Sequence, residues 1–171
     1  MLFKVIEKFG PESGDAWTSY LEWRKFNFDS FDSVDSMLRP DLFSPESVAD
    51  WDNCVNADFK LNLITNVHYA KKVSESYDSC EIIGVDIELE DEPESKLNLL
   101  GYDILDEYCG ISLLTNWGVD EEGFINRHLQ CNGLILDFTD ASSLRDLLRK
   151  DYSEDGHAQA CSIWAVYEVS Y

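Results

Sequence analysis

Residues 82–90, IIGVDIELE, alternate strictly: Val85, Ile87 and Leu89 fall on one side of an extended chain, and Asp86, Glu88 and Glu90 on the other. A period of two predicts a β-strand with one face in a core and one acidic face toward water. Asp91-Glu92-Pro93-Glu94-Ser95 then reads as a turn, and 97–105 (LNLLGYDIL) as a second strand returning beside the first. Ile111 to Trp117 predicts a third strand and Leu134 to Phe138 a shorter one. Residues 161–169 (CSIWAVYEV) predict a closing strand rich in β-branched and aromatic side chains.

The first half of the chain has a different period. Residues 2–9 (LFKVIEKF) read as a short strand stopped by Gly10 and Pro11. Trp17, Tyr20, Leu21 and Arg24 recur at i, i+3, i+4 and i+7, which predicts a core-facing helix over 15–25. Phe28, Phe31, Val34, Met37 and Leu38 allow a second short helix ending before Pro40. Ser44-Pro45-Glu46-Ser47 reads as a helix start with Ser44 as N-cap, placing Val48, Trp51 and Val55 on a buried face. Phe59 to Ile64 reads as a strand, Val67 to Val73 as a helical turn or two, and Asp140 as the cap of a late helix that buries Leu144, Leu147 and Leu148. Helices mainly in the N-terminal half, then a mostly antiparallel sheet with one late helix, give an α+β fold. Residues 1–171 read as one domain, with Trp17, Trp51 and Trp164 in its core.

Composition restricts the partners. Hydrophobic residues at 44% and aromatics at 13% exclude a disordered acidic chain, and 171 residues suffice for a self-sufficient core. Against 34 acidic residues stand 13 basic ones, a net charge of -21. Such a surface repels DNA, RNA and anionic membranes and favours a basic protein, while also serving plain solubility. No leader pattern opens the chain, and no apolar run approaches the roughly 20 residues that span a bilayer, so a cytoplasmic protein is expected. Cys54, Cys80, Cys109, Cys131 and Cys161 are odd in number and scattered, which reads as reduced thiols.

Catalytic signatures are missing from the sequence. His68, His128 and His157 are its three histidines, no serine sits in a G-x-S-x-G elbow, and no glycine pattern cradles a phosphate. Cys131 follows His128 by three residues and Cys161 follows His157 by four; without a second matching pair neither supports a metal site. Neither a catalytic residue nor a cofactor or metal is assigned, and a small hydrolase is kept as an alternative.

The partner-binding surface is expected where acids and aromatics mix. Asp86, Glu88, Glu90, Asp91 and Glu92 occur without an intervening Lys or Arg, and acids two apart on a strand lie about 7 Å apart, near the spacing of successive phosphates. That geometry admits a nucleic-acid mimic, but taken alone the segment reads first as a solvated face guarding a sheet edge. Asp103, Asp106, Glu107, Asp120, Glu121 and Glu122 add acids, with Tyr102, Tyr108 and Trp117 interleaved as anchors for an interface or as core.

In its small size, its acidity and the stretches LGYDIL (Leu100 to Leu105) and GISLLTN (Gly110 to Asn116), the chain resembles the immunity proteins of bacterial polymorphic and contact-dependent toxin systems. That resemblance implies a cytoplasmic protein that binds a cognate toxin domain, often a basic nuclease, and occludes its active site. It assigns no individual residue a role.

Overall fold

The computed structural model describes residues 1–57, 61–94, 97–117, 123 and 125–169. The fold is α+β. Its elements are β1 (Leu2–Glu7), α1 (Asp15–Arg24), α2 (Val48–Asp52), β2 (Cys54–Ala57), β3 (Leu61–Ile64), α3 (Val67–Ser74), β4 (Cys80–Asp86), β5 (Leu99–Asp106), α4 (Phe138–Asp151), α5 (Gly156–Gln159) and β6 (Cys161–Glu168). The strands form one six-stranded sheet in the order β2-β3-β1-β4-β6-β5, and each neighbouring pair is antiparallel. No helix among the described residues is long and apolar enough to cross a membrane.

The sheet order corrects one expectation. β5 does not return beside β4; β6 lies between them, pairing Val85 with Val166 on one side and Asp103 with Trp164 on the other. Residues 161–167 are buried without a break, and a strand buried on both faces belongs inside a sheet rather than at its edge. One face of the sheet carries Tyr102, Ile104, Ile163, Ala165 and Tyr167, packed with Leu144 and Leu148 of α4, and continues through Val5 and Ile82 to Ala70 of α3. The other carries Ile6, Ile83, Val85, Leu105, Trp164 and Val166. It is covered by the irregular chain over 26–43, with Val34 in that cluster, until the end of that chain, where Leu42 and Phe43 pack on the α3 side.

That chain replaces the helix expected over 28–38. Phe26, Phe28 and Phe31 are buried, as their spacing demanded, in an aromatic cluster with Trp17 and Tyr20 of α1. Several backbone donors, however, are satisfied from outside the segment, Asp29 N–H by Cys131 O, Asp32 N–H by Asn132 O and Ser36 N–H by Gly110 O, while Met37 and Leu38 N–H donate to the Asp35 side chain. Spacing of three and four fixes which side chains are buried, not how the backbone is paired. Arg39 closes the segment. It is 1% exposed, donates to Ser33 O and Glu7 O and pairs with Glu81.

Other departures are local. The strands expected over 111–117 and 134–138 reduce to single bridges, Leu105 to Ser112 and Tyr102 to Ile135, which cover the outer edge of β5. Asp137 rather than Asp140 caps the late helix, accepting from the N–H groups of Thr139 and Asp140. β4 stops at Asp86 because Glu88 takes the left-handed φ of 54°, so the alternation does not run on to Glu90. Ser47, not Ser44, caps α2, where it forms a capping box with Asp50. The strand expected over Phe59 to Ile64 is seen as Leu61–Ile64; Phe59 and Lys60 lie outside the described residues.

Candidate functional site

The acids of the expected surface divide by burial. Asp103 has no exposed surface. It accepts from the Ser33 hydroxyl at 2.7 Å and Val34 N–H at 3.0 Å, and from the Ser112 hydroxyl at 2.6 Å and Ile104 N–H at 2.9 Å. Burial pushes its carboxyl above the usual range, and the donated hydrogen bonds oppose that rise. Asp35, raised for the same reason, accepts from Ser112 N–H and the Asn116 amide. Together these two carboxylates fasten the 26–43 chain and the 112–116 turn to the sheet. Asp103 is therefore a structural buckle, not the surface carboxylate expected.

Three further residues of the expected interface face inward. Tyr102 is fully buried, with its ring edge-on to Phe138; Trp117 is 7% exposed and packs on Tyr152; Asp106 is 2% exposed and bonded to His157 Nδ1 at 2.5 Å. Aromatics on a strand or turn that closes over a core are drawn into it by the area they bury. Asp86 is half-buried, held by the N-terminal ammonium and the Tyr167 hydroxyl, each at 2.9 Å. Glu107 is half-buried.

Glu88, Glu90, Asp91, Glu92 and Tyr108 remain on the surface. Glu90 is tied to the scaffold by Arg145 of α4 at 3.5 Å, and Arg145 also donates to Leu89 O. With Asp86 engaged and Glu88 turned out of the strand, the even row of carboxylates that would imitate a nucleic-acid backbone does not form. Asp120, Glu121 and Glu122 lie outside the described residues.

A second surface was hidden by the sequence pattern. Val48, Trp51 and Val55, expected inside, are 78%, 50% and 38% exposed, so the expected core position of Trp51 is corrected; Trp17 and Trp164 are buried. α2 spans only five residues and meets the rest of the fold through Asp50, which the Tyr69 hydroxyl reaches. That hydrogen bond, with those from Ser47, holds the Asp50 carboxyl well below the usual range. The flanking polar residues Glu46, Ser47, Asp50 and Asp52 include three carboxylates and no cation. The pattern i, i+3, i+7 was read as a buried stripe; the signal that could have warned against this is the density of acids and serine over 44–52, too polar to sit on a core.

Catalytic geometry is weaker. A cavity of about 490 Å³ between β4 and α3 brings together Lys8, Lys71, Glu75, Cys80 and Glu81, with no histidine among its lining residues to activate the thiol. The Cys80 thiol is instead turned to Ser74 O and Tyr77 O, and burial raises it. No family model matches the chain, and neither do curated proteins or solved structures.

Proposed function

We propose that this chain is a binding protein that neutralises a basic protein partner, as an immunity protein does against a nuclease-type toxin domain. The observation that carries the reading is the outward placement of Val48 and Trp51 on a helix whose charged neighbours along the chain, Glu46, Asp50 and Asp52, are acidic. A half-exposed tryptophan offers a partner a large apolar anchor, and a carboxylate rim selects a pocket edged by Lys or Arg. The net charge of -21 extends the same preference over the whole surface and would speed encounter. A nuclease, whose substrate is a polyanion, presents the matching positive cleft.

The test is retention on the immobilised chain at physiological ionic strength, with Trp51→Ala and Val48→Asp run in parallel. A basic protein that stays on the native chain, is lost from both variants, and loses its toxicity when co-expressed with the native chain supports the reading. Equal retention by Trp51→Ala, or release of everything at physiological salt, overturns it.

A further inference from the structure

We infer that Asp106, Cys109 and His157 form a binding site for a divalent transition-metal ion of the zinc type. Asp106 ends β5, and the turn that follows returns Gly110 N–H to Asp106 O at 2.9 Å, which brings Cys109 back toward the Asp106 side chain. His157 arrives from the other side on α5. The position of α5 is fixed where Glu107 N–H donates to Ala160 O and where Asp106 pairs with Cys161 across the sheet. One ligand atom from each of the three residues lies within 4.8 Å of the other two.

The donor set selects the ion. A thiolate, an imidazole and a carboxylate together suit zinc or cobalt, whereas magnesium and calcium take oxygen alone. Around a tetrahedral zinc, with bonds of about 2.0–2.3 Å, donors stand about 3.3–3.6 Å apart, so small side-chain adjustments, with Asp106 and His157 moving apart, would bring the trio to that spacing. An ion would take the place of the direct contact between Asp106 Oδ2 and His157 Nδ1, which stand at 2.5 Å. Asp106 is anchored, since its second oxygen accepts from Tyr108 N–H at 2.8 Å, while His157 is 45% exposed and leaves one side of the site to water. Three protein ligands and an open fourth position describe a site that can bind a water or a donor from another molecule.

This site is separate in the chain from the α2 surface and does not depend on the partner reading. The test is titration of the chelator-treated, reduced full chain with Co²⁺, whose charge-transfer absorption appears only on thiolate ligation and so ignores carboxylate binding on the acidic surface. One equivalent giving that band is expected. The band should be lost in Cys109→Ser, bind about tenfold or more weaker in His157→Gln, and be unchanged in Cys131→Ser. No band with the native chain, or a band that survives Cys109→Ser, overturns the inference. Unaltered affinity in His157→Gln does so too.

Discussion

Ser33 and Asp103 stand 70 positions apart in the chain, and the hydroxyl of one donates to the buried carboxylate of the other at 2.7 Å. Asp103→Ala therefore strips a partner from the Ser33 and Ser112 hydroxyls and from Val34 N–H, all buried. Leaving several buried donors unmet should cost about 3 kcal/mol or more, which in a domain of this size lowers Tm by roughly 6–12 °C. Urea unfolding and a thermal melt read both. A loss below about 1 kcal/mol would mean that Asp103 does little to hold the 26–43 chain, which its aromatics, Asp35 and Arg39 then secure.

The same carboxylate gives a pH dependence whose sign can be worked out. Burial raises Asp103 in the folded chain above its unfolded value near 3.8, so between the two the folded state holds more protons than the unfolded one. Stability from this group is then greatest at low pH and declines as pH rises through the folded value. Asp35 is raised by burial as well and acts in the same direction. Asp103→Asn cannot titrate. The native chain should gain on this variant as pH is lowered from neutrality to just above the isoelectric point, measured by urea unfolding at each pH; a difference flat in pH would contradict it.

Gly101 marks where β5 admits its covering strap. Its φ is +150°, it lies at a bulge, and a Cβ there would stand 2.8 Å from Ile135 O and from Leu134 Cβ. Gly101→Ala must push the 134–135 strap away, breaking the reciprocal Tyr102–Ile135 hydrogen bonds at 2.7 and 2.9 Å. A loss of about 2 kcal/mol is expected. Faster hydrogen exchange at the Tyr102 and Ile135 amides, beyond the global change, would locate the damage; unchanged exchange there would refute it.

What the sequence discloses follows from where each signal resides. β4, α1 and α4 were legible because a period of two or of three to four is written locally, and β1 and β6 because short β-prone apolar runs are too. The 26–43 chain was not, since Ser33, Val34 and Asp35 are organised by Asp103 and Ser112, and nothing near them in sequence declares that partnership. The place of β6 between β4 and β5 was implicit in its unbroken apolar run. Asp106, Cys109 and His157 form no motif, because an acid three residues from a cysteine is unremarkable in a chain with 34 acids. Tyr102 and Asp103 were placed at an interface, whereas both are fully buried.

Trp51 separates stability from binding. As a core residue it would lose about 3–5 kcal/mol on truncation to alanine, whereas at 50% exposure on a five-residue helix the loss should stay within about 1 kcal/mol. Urea unfolding of Trp51→Ala distinguishes the two. Binding should respond in the opposite proportion, with a loss of about 2 kcal/mol, roughly thirtyfold in Kd, by calorimetry against the retained partner.

Glu88 and Asp91 lie on the exposed turn after β4, whereas Asp86 is held by the N-terminal ammonium and Tyr167, and Glu90 by Arg145. Reversing the first two to lysine shifts the net charge by four units while sparing those two anchored acids, so folding should change by about 0.5 kcal/mol per site or less. The effect on a basic partner should fall on encounter. Rim charges act through long-range steering, which salt screens beyond a Debye length of about 8 Å at physiological ionic strength. Stopped-flow association should therefore slow about tenfold at low salt and converge on the native rate as salt is added, with dissociation little altered. If dissociation accelerates instead, this turn touches the partner directly, and the interface extends from α2 to the end of β4; if neither rate moves, the turn faces away and the steering comes from the rest of the acidic surface.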